Sequence, residues 1–311
     1  MRVATIDIGT NSVLLLVAEA QGDALTPLLE RATVTRLGEG VDRNRRLLDA
    51  ACERTLACLS DYAAELRRLG VTVLDAVGTS AMRDAEGGQA FISRAKGVLG
   101  VAPRVIDGNE EARLTFAGAL SGLPHAGAVT VFDIGGGSTE IVVGSRTTTE
   151  RHISAAVSLN IGSVRLFERH VKSDPPNAAE LLLVEGDILA ALATAPKPDA
   201  SATLVGVAGT VTQVAALELE LTRYDAARVH GYTLTRKAVE RVAARLASLD
   251  IAQRRALPGM EPSRADVIVV GSAIARAVLE WSGATELVVS DRGVRWGLAE
   301  QLAARGAVSA G

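Results

Sequence analysis

Residues 3–17, VATIDIGTNSVLLLV, and residues 129–143, VTVFDIGGGSTEIVV, are two versions of one pattern. Each has an apolar strand, Asp-Ile-Gly, a polar turn and a second apolar strand. Asp7 falls on Asp133, Gly9 on Gly135 and Ser12 on Ser138, at a constant offset of 126 residues. A self-match of this length predicts two related domains. Two unrelated hairpins sharing a turn type are the competing explanation, and the matched Asp and Ser weigh against it. The 311 residues suffice for two ordinary cores.

The segments after each hairpin strengthen the expectation. After the first come a further strand region at 24–38 and a long amphipathic helix over 45–70, closed by Gly70. Then come a buried strand (VTVLDAVG), a helix from EGGQAFISRAKGVLG, a short strand at 103–107 and a helix over 109–123. PHAGA (124–128) reads as the domain junction. The second half repeats the plan, with strands at 129–134, 139–144 and 151–157 and helices near 161–172 and 178–193. A strand–glycine turn–helix comes next at 203–219, then helices at 235–248 and 262–282, a strand in ELVVS and a closing helix. Hairpins followed by helix–strand crossovers predict α/β architecture. The expected division is 1–124 and 125–311, with the last helix packing back on the first domain.

Composition removes several classes of function. Net charge is −3 with acids and bases interspersed, so a nucleic-acid surface has no support. A local positive pocket for a polyanionic small substrate stays compatible with that charge. The apolar N-terminus is broken by Asp7, Gly9, Asn11 and Ser12, and nothing in the chain reads as a membrane span. Cys52 and Cys58, six apart, read as reduced thiols. A cytoplasmic protein with no nucleic-acid or membrane partner is expected. The four histidines (125, 152, 170, 230) lack metal spacing, and no Ser-His-Asp or Cys-His arrangement is legible.

Glycine turns let several backbone N–H groups gather around an anion, because no Cβ crowds the approach. An acid placed before such a turn repels phosphate at neutral pH. It can instead hold hydrated Mg²⁺, or another divalent cation, that bridges to phosphate oxygens. Asp7 with Gly9, Thr10, Asn11 and Ser12, and Asp133 with Gly135, Gly136, Gly137 and Ser138, therefore read as two phosphate clamps with metal between. AGTVT (208–212) offers a third turn through Gly209 and Thr210. A dinucleotide fingerprint needs a helix after the glycines, whereas SVLLLV and STEIVVG continue as strands. A P-loop needs Gly-Lys-Ser/Thr, and neither turn has a lysine.

These paired Asp-x-Gly turns resemble the phosphate motifs of the actin/hexokinase/Hsp70 superfamily. More narrowly, the chain resembles the exopolyphosphatase and guanosine pentaphosphate phosphatase family. The likeness runs through DIGTNSVLLLV, RLGEG (36–40), GTSAMRDA (78–85), IDGNEEARLTFAGAL (106–120), FDIGGGSTEIVVG (132–144), SLNIGSVRLFER (158–169), GVAGTVTQVAAL (206–217), RADVIVVGSAIARAVLE and VVSDRGVRWGL. It implies the short form, with two similar actin-like (ribonuclease H-like) domains, each a mixed β-sheet flanked by helices, and an interdomain cleft. Two positions depart from the family pattern: Thr10 stands for the usual Ser, and Ala208 for the usual Gly.

The resemblance implies hydrolysis of the terminal phosphoanhydride of inorganic polyphosphate. The alternatives are guanosine pentaphosphate hydrolysis, a kinase of the same fold, and a guanosine polyphosphate-binding regulator with little turnover. Glu111 matches the family's general base. From the residues alone Glu110 and Glu111 are both candidates, about 100° apart on a helix, and a solvated first turn favoured by the helix dipole explains both equally well. Arg83 matches an active-site arginine whose planar fork suits a terminal phosphate. Glu140 matches a family acid that orients water or metal, or only pairs with a base. A homodimer is the expected assembly.

Overall fold

The computed structural model describes every residue except Asp23, His125, Thr148, Thr149, Ala310 and Gly311, and side chains through residue 305. The chain divides into two compact units. One comprises Met1–Ser121 with Val294–Gly311, and the other Gly122–Gly293.

The first unit is built on a sheet of β1 (Arg2–Ile8), β2 (Ser12–Gln21), β3 (Ala24–Val34), β4 (Val73–Gly78) and β5 (Arg104–Val105), in the spatial order β3-β2-β1-β4-β5. β1, β2 and β3 are antiparallel neighbours; β1–β4 and β4–β5 are parallel. β1 sits centrally and is buried along almost its whole length, whereas β3 is largely exposed, as an edge strand is. Pro27 lies in β3, where an edge tolerates the missing N–H.

The second unit repeats this order. Its strands are β6 (Gly127–Ile134), β7 (Thr139–Arg146), β8 (Arg151–Leu159), β9 (Thr203–Val207), β10 (Thr233–Thr235) and β11 (Glu286–Val289), arranged β10-β11-β9-β6-β7-β8. β8-β7-β6-β9-β11 corresponds strand for strand to β3-β2-β1-β4-β5, with β10 added at the edge. The register repeats too. Asp7 pairs with Leu14 and Ile8 with Val13; Asp133 pairs with Glu140 and Ile134 with Thr139. Even the irregularity recurs: the outer pair of each meander slips between Val17 and Ala18, and between Val143 and Gly144. Bulges are retained features of a sheet, so a bulge at matched positions marks the repeat as structural.

Helices cover both sheets. In the first unit Asp49–Arg68 buries Leu56, Leu59, Tyr62 and Leu66, and buries Cys52 and Cys58 as well. Both thiols are free, and burial raises their pKa. The expected helix over 262–282 is broken. A short 3₁₀ turn, Pro262–Arg264, precedes a helix that begins only at Ile268. The stretch 221–234, between two longer helices, contains a helical turn at Ala226–Val229. No described helix is long and apolar enough to cross a membrane.

The final helix, Val294–Ser309, belongs to the first unit. Trp296, Ala299 and Leu302 pack on Val3, Leu16 and Ala18, and Val294 and Leu298 join Val77, Ile106 and Leu114. Gly297 lies so close to the Gly108–Ala119 helix that a Cβ there would stand 2.1 Å from the Leu114 carbonyl oxygen. Two backbones in contact leave no space for a side chain. Gly297→Leu is therefore expected to destabilise the protein by about 3 kcal/mol, read as a lowered urea midpoint. An unchanged midpoint would show that this helix contact is not formed.

Candidate phosphate-binding and active site

In each unit the two central parallel strands end side by side, and the turns after them carry the polar residues. In the first unit these are the β1–β2 turn and residues 79–80 after β4; in the second, the β6–β7 turn and residues 208–210 after β9. Carboxyl ends of strands in open α/β sheets are where ligands bind.

Backbone hydrogen bonds fix how the turns present their amides. Gly9 N–H donates to the Ser12 carbonyl at 2.9 Å, and Gly135 N–H to the Ser138 carbonyl at 3.0 Å. In the second turn the Gly135 carbonyl accepts from Ser163 N–H (3.0 Å). The Gly136 carbonyl accepts from Val164 and Arg165 N–H (2.9 and 3.0 Å). The Gly137 carbonyl accepts from Nε of the buried Arg165 at 2.6 Å. In a trans peptide the carbonyl of one residue and the N–H of the next point in opposite directions. Tying down three successive carbonyls therefore turns the N–H groups of Gly136, Gly137 and Ser138 to the other side, the arrangement of an anion nest.

The first turn is braced in the same way. Thr10 O accepts from Gly38 N–H (2.9 Å), and Asn11 O from Thr35 and Arg36 N–H (both 3.0 Å). The bracing segments, 35–38 and 162–165, each come after the third strand of their meander. Gly162 is the residue that allows it in the second unit. A Cβ there would stand 2.4 Å from the Gly136 carbonyl oxygen.

The catalytic candidates of the first unit are linked to its turn. Thr10 Oγ1 hydrogen-bonds Ser80 Oγ at 2.8 Å. Ser80 opens the Ser80–Asp84 helix, which carries Arg83. Arg83 Nη1 donates to Glu111 Oε2 at 3.0 Å and to the Ile106 carbonyl at 3.1 Å. Glu111 is 6% exposed, in the first turn of the Gly108–Ala119 helix capped by Asp107. Its neighbour Glu110 turns outward and pairs with Arg104. The two glutamates that sequence leaves equivalent thus occupy different environments, and only Glu111 meets Arg83.

In the second unit Asp133 and Glu140 are directly opposite on β6 and β7, so their side chains share one face of the sheet. Both are buried, and Glu140 Oε1 accepts from Ser158 Oγ at 2.6 Å. Leu14 holds the corresponding place in the first unit. Gly209 and Thr210 lie at the start of the Ala208–Glu218 helix, and the Arg264 guanidinium packs against Gly209.

These donors suit a divalent cation of the magnesium kind. Among the described residues no three His, Cys, Asp or Glu side chains gather into a closed cage. One or two carboxylates leaving the remaining positions to water and phosphate is how Mg²⁺ is commonly held. In the first turn both amide atoms of Asn11 are buried without a hydrogen-bond partner, which costs roughly 1–3 kcal/mol per group unless a ligand or water answers them.

Three comparisons bear on identity. Residues 16–305 match the model of the Ppx/GppA phosphatase family. The chain belongs to that family. It is 40% identical to Exopolyphosphatase 2 of Mycobacterium tuberculosis over 97% of this chain and 98% of that protein. It is 33% identical to Guanosine-5'-triphosphate,3'-diphosphate pyrophosphatase of Photobacterium profundum over 54% of this chain and 33% of that protein. The crystal structure of an exopolyphosphatase-like protein superposes with a TM-score of 0.92 at 33% identity, covering 98% of this chain and 99% of the other. The two units are actin-like domains, as the paired turns led one to expect.

The roles of Gly162, Arg165 and Arg264 are not legible from the sequence. The only signal is that the residues after the third strand contain glycine in both halves, TRLG and NIGS. Ala208 shows why its position favours glycine: its φ is +68°. A left-handed conformation costs a residue with a side chain about 1–2 kcal/mol, while glycine's extra unfolded-state freedom costs about 0.4–1 kcal/mol. Ala208→Gly is therefore expected to stabilise the protein by roughly 0.5–1 kcal/mol. A melting temperature that falls instead would show that the turn is not left-handed at that residue.

Proposed function

We propose that this chain is an exopolyphosphatase that removes the terminal phosphate of inorganic polyphosphate, with Glu111 as general base. The observation that carries the reading is the buried Glu111 carboxylate held at 3.0 Å by Arg83, whose helix is hydrogen-bonded to the first phosphate turn through Ser80. The end-to-end likeness to Exopolyphosphatase 2 supports polyphosphate as the substrate.

Binding and chemistry fall to different residues. Asn11, Ser12, Gly136, Gly137 and Ser138 offer backbone N–H groups to phosphate oxygens, with Gly9, Thr10, Gly135, Gly209 and Thr210 shaping the turns. Arg83 exchanges its carboxylate partner for an oxygen of the terminal phosphate. Glu111, so released, accepts a proton from water as that water attacks the terminal phosphorus. The P–O bond of the anhydride breaks, giving orthophosphate and a chain one unit shorter. In the second unit Asp133, with Glu140 beside it, would hold a divalent cation, and in the first unit Asp7 offers a carboxylate of the same kind; the cation would supply positive charge to phosphate oxygens.

Glu111→Gln keeps the shape and removes the base, so kcat should fall roughly 10²–10⁴-fold with KM little changed. Phosphate release from polyphosphate measures it, and a near-normal rate would remove Glu111 from this role. Gly162→Ala pushes the bracing segment off the Gly136 carbonyl and misdirects the amides. It should lower kcat/KM roughly 10²-fold, and normal kinetics would show that the nest does not hold substrate.

A second reading is guanosine pentaphosphate hydrolysis, which the likeness to the Photobacterium pyrophosphatase favours over half the chain. The chemistry is the same. Parallel assays with both compounds separate the readings: faster release from the nucleotide overturns the first. Binding of guanosine tetraphosphate with no turnover of either compound would point instead to a regulator.

A further inference from the structure

Residues 35–47 run from the first phosphate turn to the segment just after Arg83. At one end Thr10 O accepts from Gly38 N–H, and Asn11 O from Thr35 and Arg36 N–H. At the other end Arg45 O accepts from Glu86 N–H at 2.8 Å, and Glu86 O from Leu47 N–H at 3.0 Å. Glu86 is three residues past Arg83, so the two Cα atoms lie within about 10 Å. Between these ends Gly38 is pressed against the turn and the Ser80–Asp84 helix. A Cβ there would stand 2.3 Å from Thr10 Cγ2 and 3.2 Å from Ala81 Cβ. The segment is therefore held close to the helix that carries Arg83.

It bears three arginines, Arg43, Arg45 and Arg46, within four residues. All three are exposed, and among the described residues none of the three guanidinium groups is in an ion pair. Acids around them are engaged elsewhere: Glu39 pairs with Arg54 at 2.5 Å and Asp84 with Arg83 at 3.6 Å. Glu86 shares a backbone bridge with Arg46 without pairing with its side chain.

Arg45 is also an unexpected residue for its backbone. It ends the Val41–Asn44 helix at φ 55°, ψ 20°, the left-handed region that glycine or asparagine usually occupies. Glu86 fixes the backbone there, yet the fold makes no use of the arginine side chain. Residues held in such regions gather at ligand sites.

A free guanidinium fork binds phosphate oxygens. One such group serves a single phosphate. Three of them, on a segment that starts at a phosphate turn, suit a ligand with a phosphate at every step. A nucleic acid would call for a wider basic surface, and the chain as a whole has a net charge of −3.

We infer that Arg43, Arg45 and Arg46 form a subsite for the phosphates behind the one being removed, and so set a preference for long polyphosphate chains. The inference rests on the exopolyphosphatase reading. Arg83 takes the terminal phosphate, and the three arginines take part of the chain that follows. Tripolyphosphate is too short to gain from them.

Kinetics on two chain lengths test it. In the triple variant Arg43→Gln, Arg45→Gln, Arg46→Gln the ratio of kcat/KM for long-chain polyphosphate to that for tripolyphosphate should fall roughly tenfold, through KM. The dependence of log KM on log salt for the long chain should become shallower by about two to three. The pair Arg67→Gln, Arg68→Gln, at the far end of the Asp49–Arg68 helix and roughly 30 Å along it, should leave the ratio as it is. Arg45→Gly should weaken long-chain binding yet raise the melting temperature, because glycine suits the left-handed backbone; a merely structural arginine would not give that split.

Anisotropy of labelled long-chain polyphosphate on Glu111→Gln, with and without the arginine changes, reads binding apart from turnover. If the wild type releases phosphate from neither compound, the exopolyphosphatase reading falls, and the binding measurement still decides the role of the arginines. The inference is overturned if the triple variant keeps its affinity, ratio and salt dependence, if tripolyphosphate suffers equally, or if a DNA oligonucleotide at equal phosphate concentration displaces the labelled chain as well as polyphosphate does.

Discussion

A peptide unit cannot aim its N–H without aiming its carbonyl the other way. Both glycine turns depend on that coupling. Turns rich in glycine have no intrinsic reason to hold one orientation, since each glycine spans much of φ/ψ space. In the second unit hydrogen bonds from Ser163, Val164 and Arg165 hold the carbonyls of Gly135, Gly136 and Gly137. In the first unit Thr35, Arg36 and Gly38 hold those of Thr10 and Asn11. The amides are oriented before any ligand arrives, so binding does not have to supply that order. The same bonds satisfy the leading N–H groups of the Ser163–His170 helix, which has no side-chain cap.

The duplicated framework has diverged where chemistry is needed. Strand order, hairpin register and the bulge recur in both units. At the position opposite the turn aspartate, however, one unit has Leu14 and the other Glu140. A leucine there adds no charge beneath the turn. A glutamate there places a second carboxylate on the face that carries Asp133, at the cost of burying charge, which Ser158 partly answers. The first unit has no such acid pair, and carries Arg83 and Glu111 on the helices that come after its fourth and fifth strands.

The hairpins, their register and the two-unit plan are legible in the sequence because they arise from local periodicity and from a repeat that survives as matching residues. Asp7, Asp133 and the glycine turns are legible for the same reason. Glu111 cannot be told from Glu110 by spacing alone; burial and the Arg83 contact separate them. The helix start near 262 is ambiguous because a Pro at a helix N-terminus also suits a 3₁₀ turn. The bracing segments are illegible for a different reason. Their function lies in backbone groups meeting a turn 24 or more residues away, and nothing in the identity of Val164 or Thr35 announces such a bond. Only Gly162 and Gly38 leave a mark in the sequence, and glycine has many other uses.

The Arg83–Glu111 pair also governs how catalysis begins on the proposed reading. A carboxylate this buried is costly to leave without positive charge. If Arg83 moves to a phosphate oxygen, Glu111 gives up that ion pair in the same event. The carboxylate then recovers neutrality by taking up a proton, and an attacking water is the source that the reaction provides. Seating the terminal phosphate and releasing Glu111 from Arg83 become one step. A ligand without a phosphate strong enough to draw Arg83 away leaves the glutamate paired and the water intact. On that reading the ion pair itself couples the arrival of a phosphate to the freeing of the base.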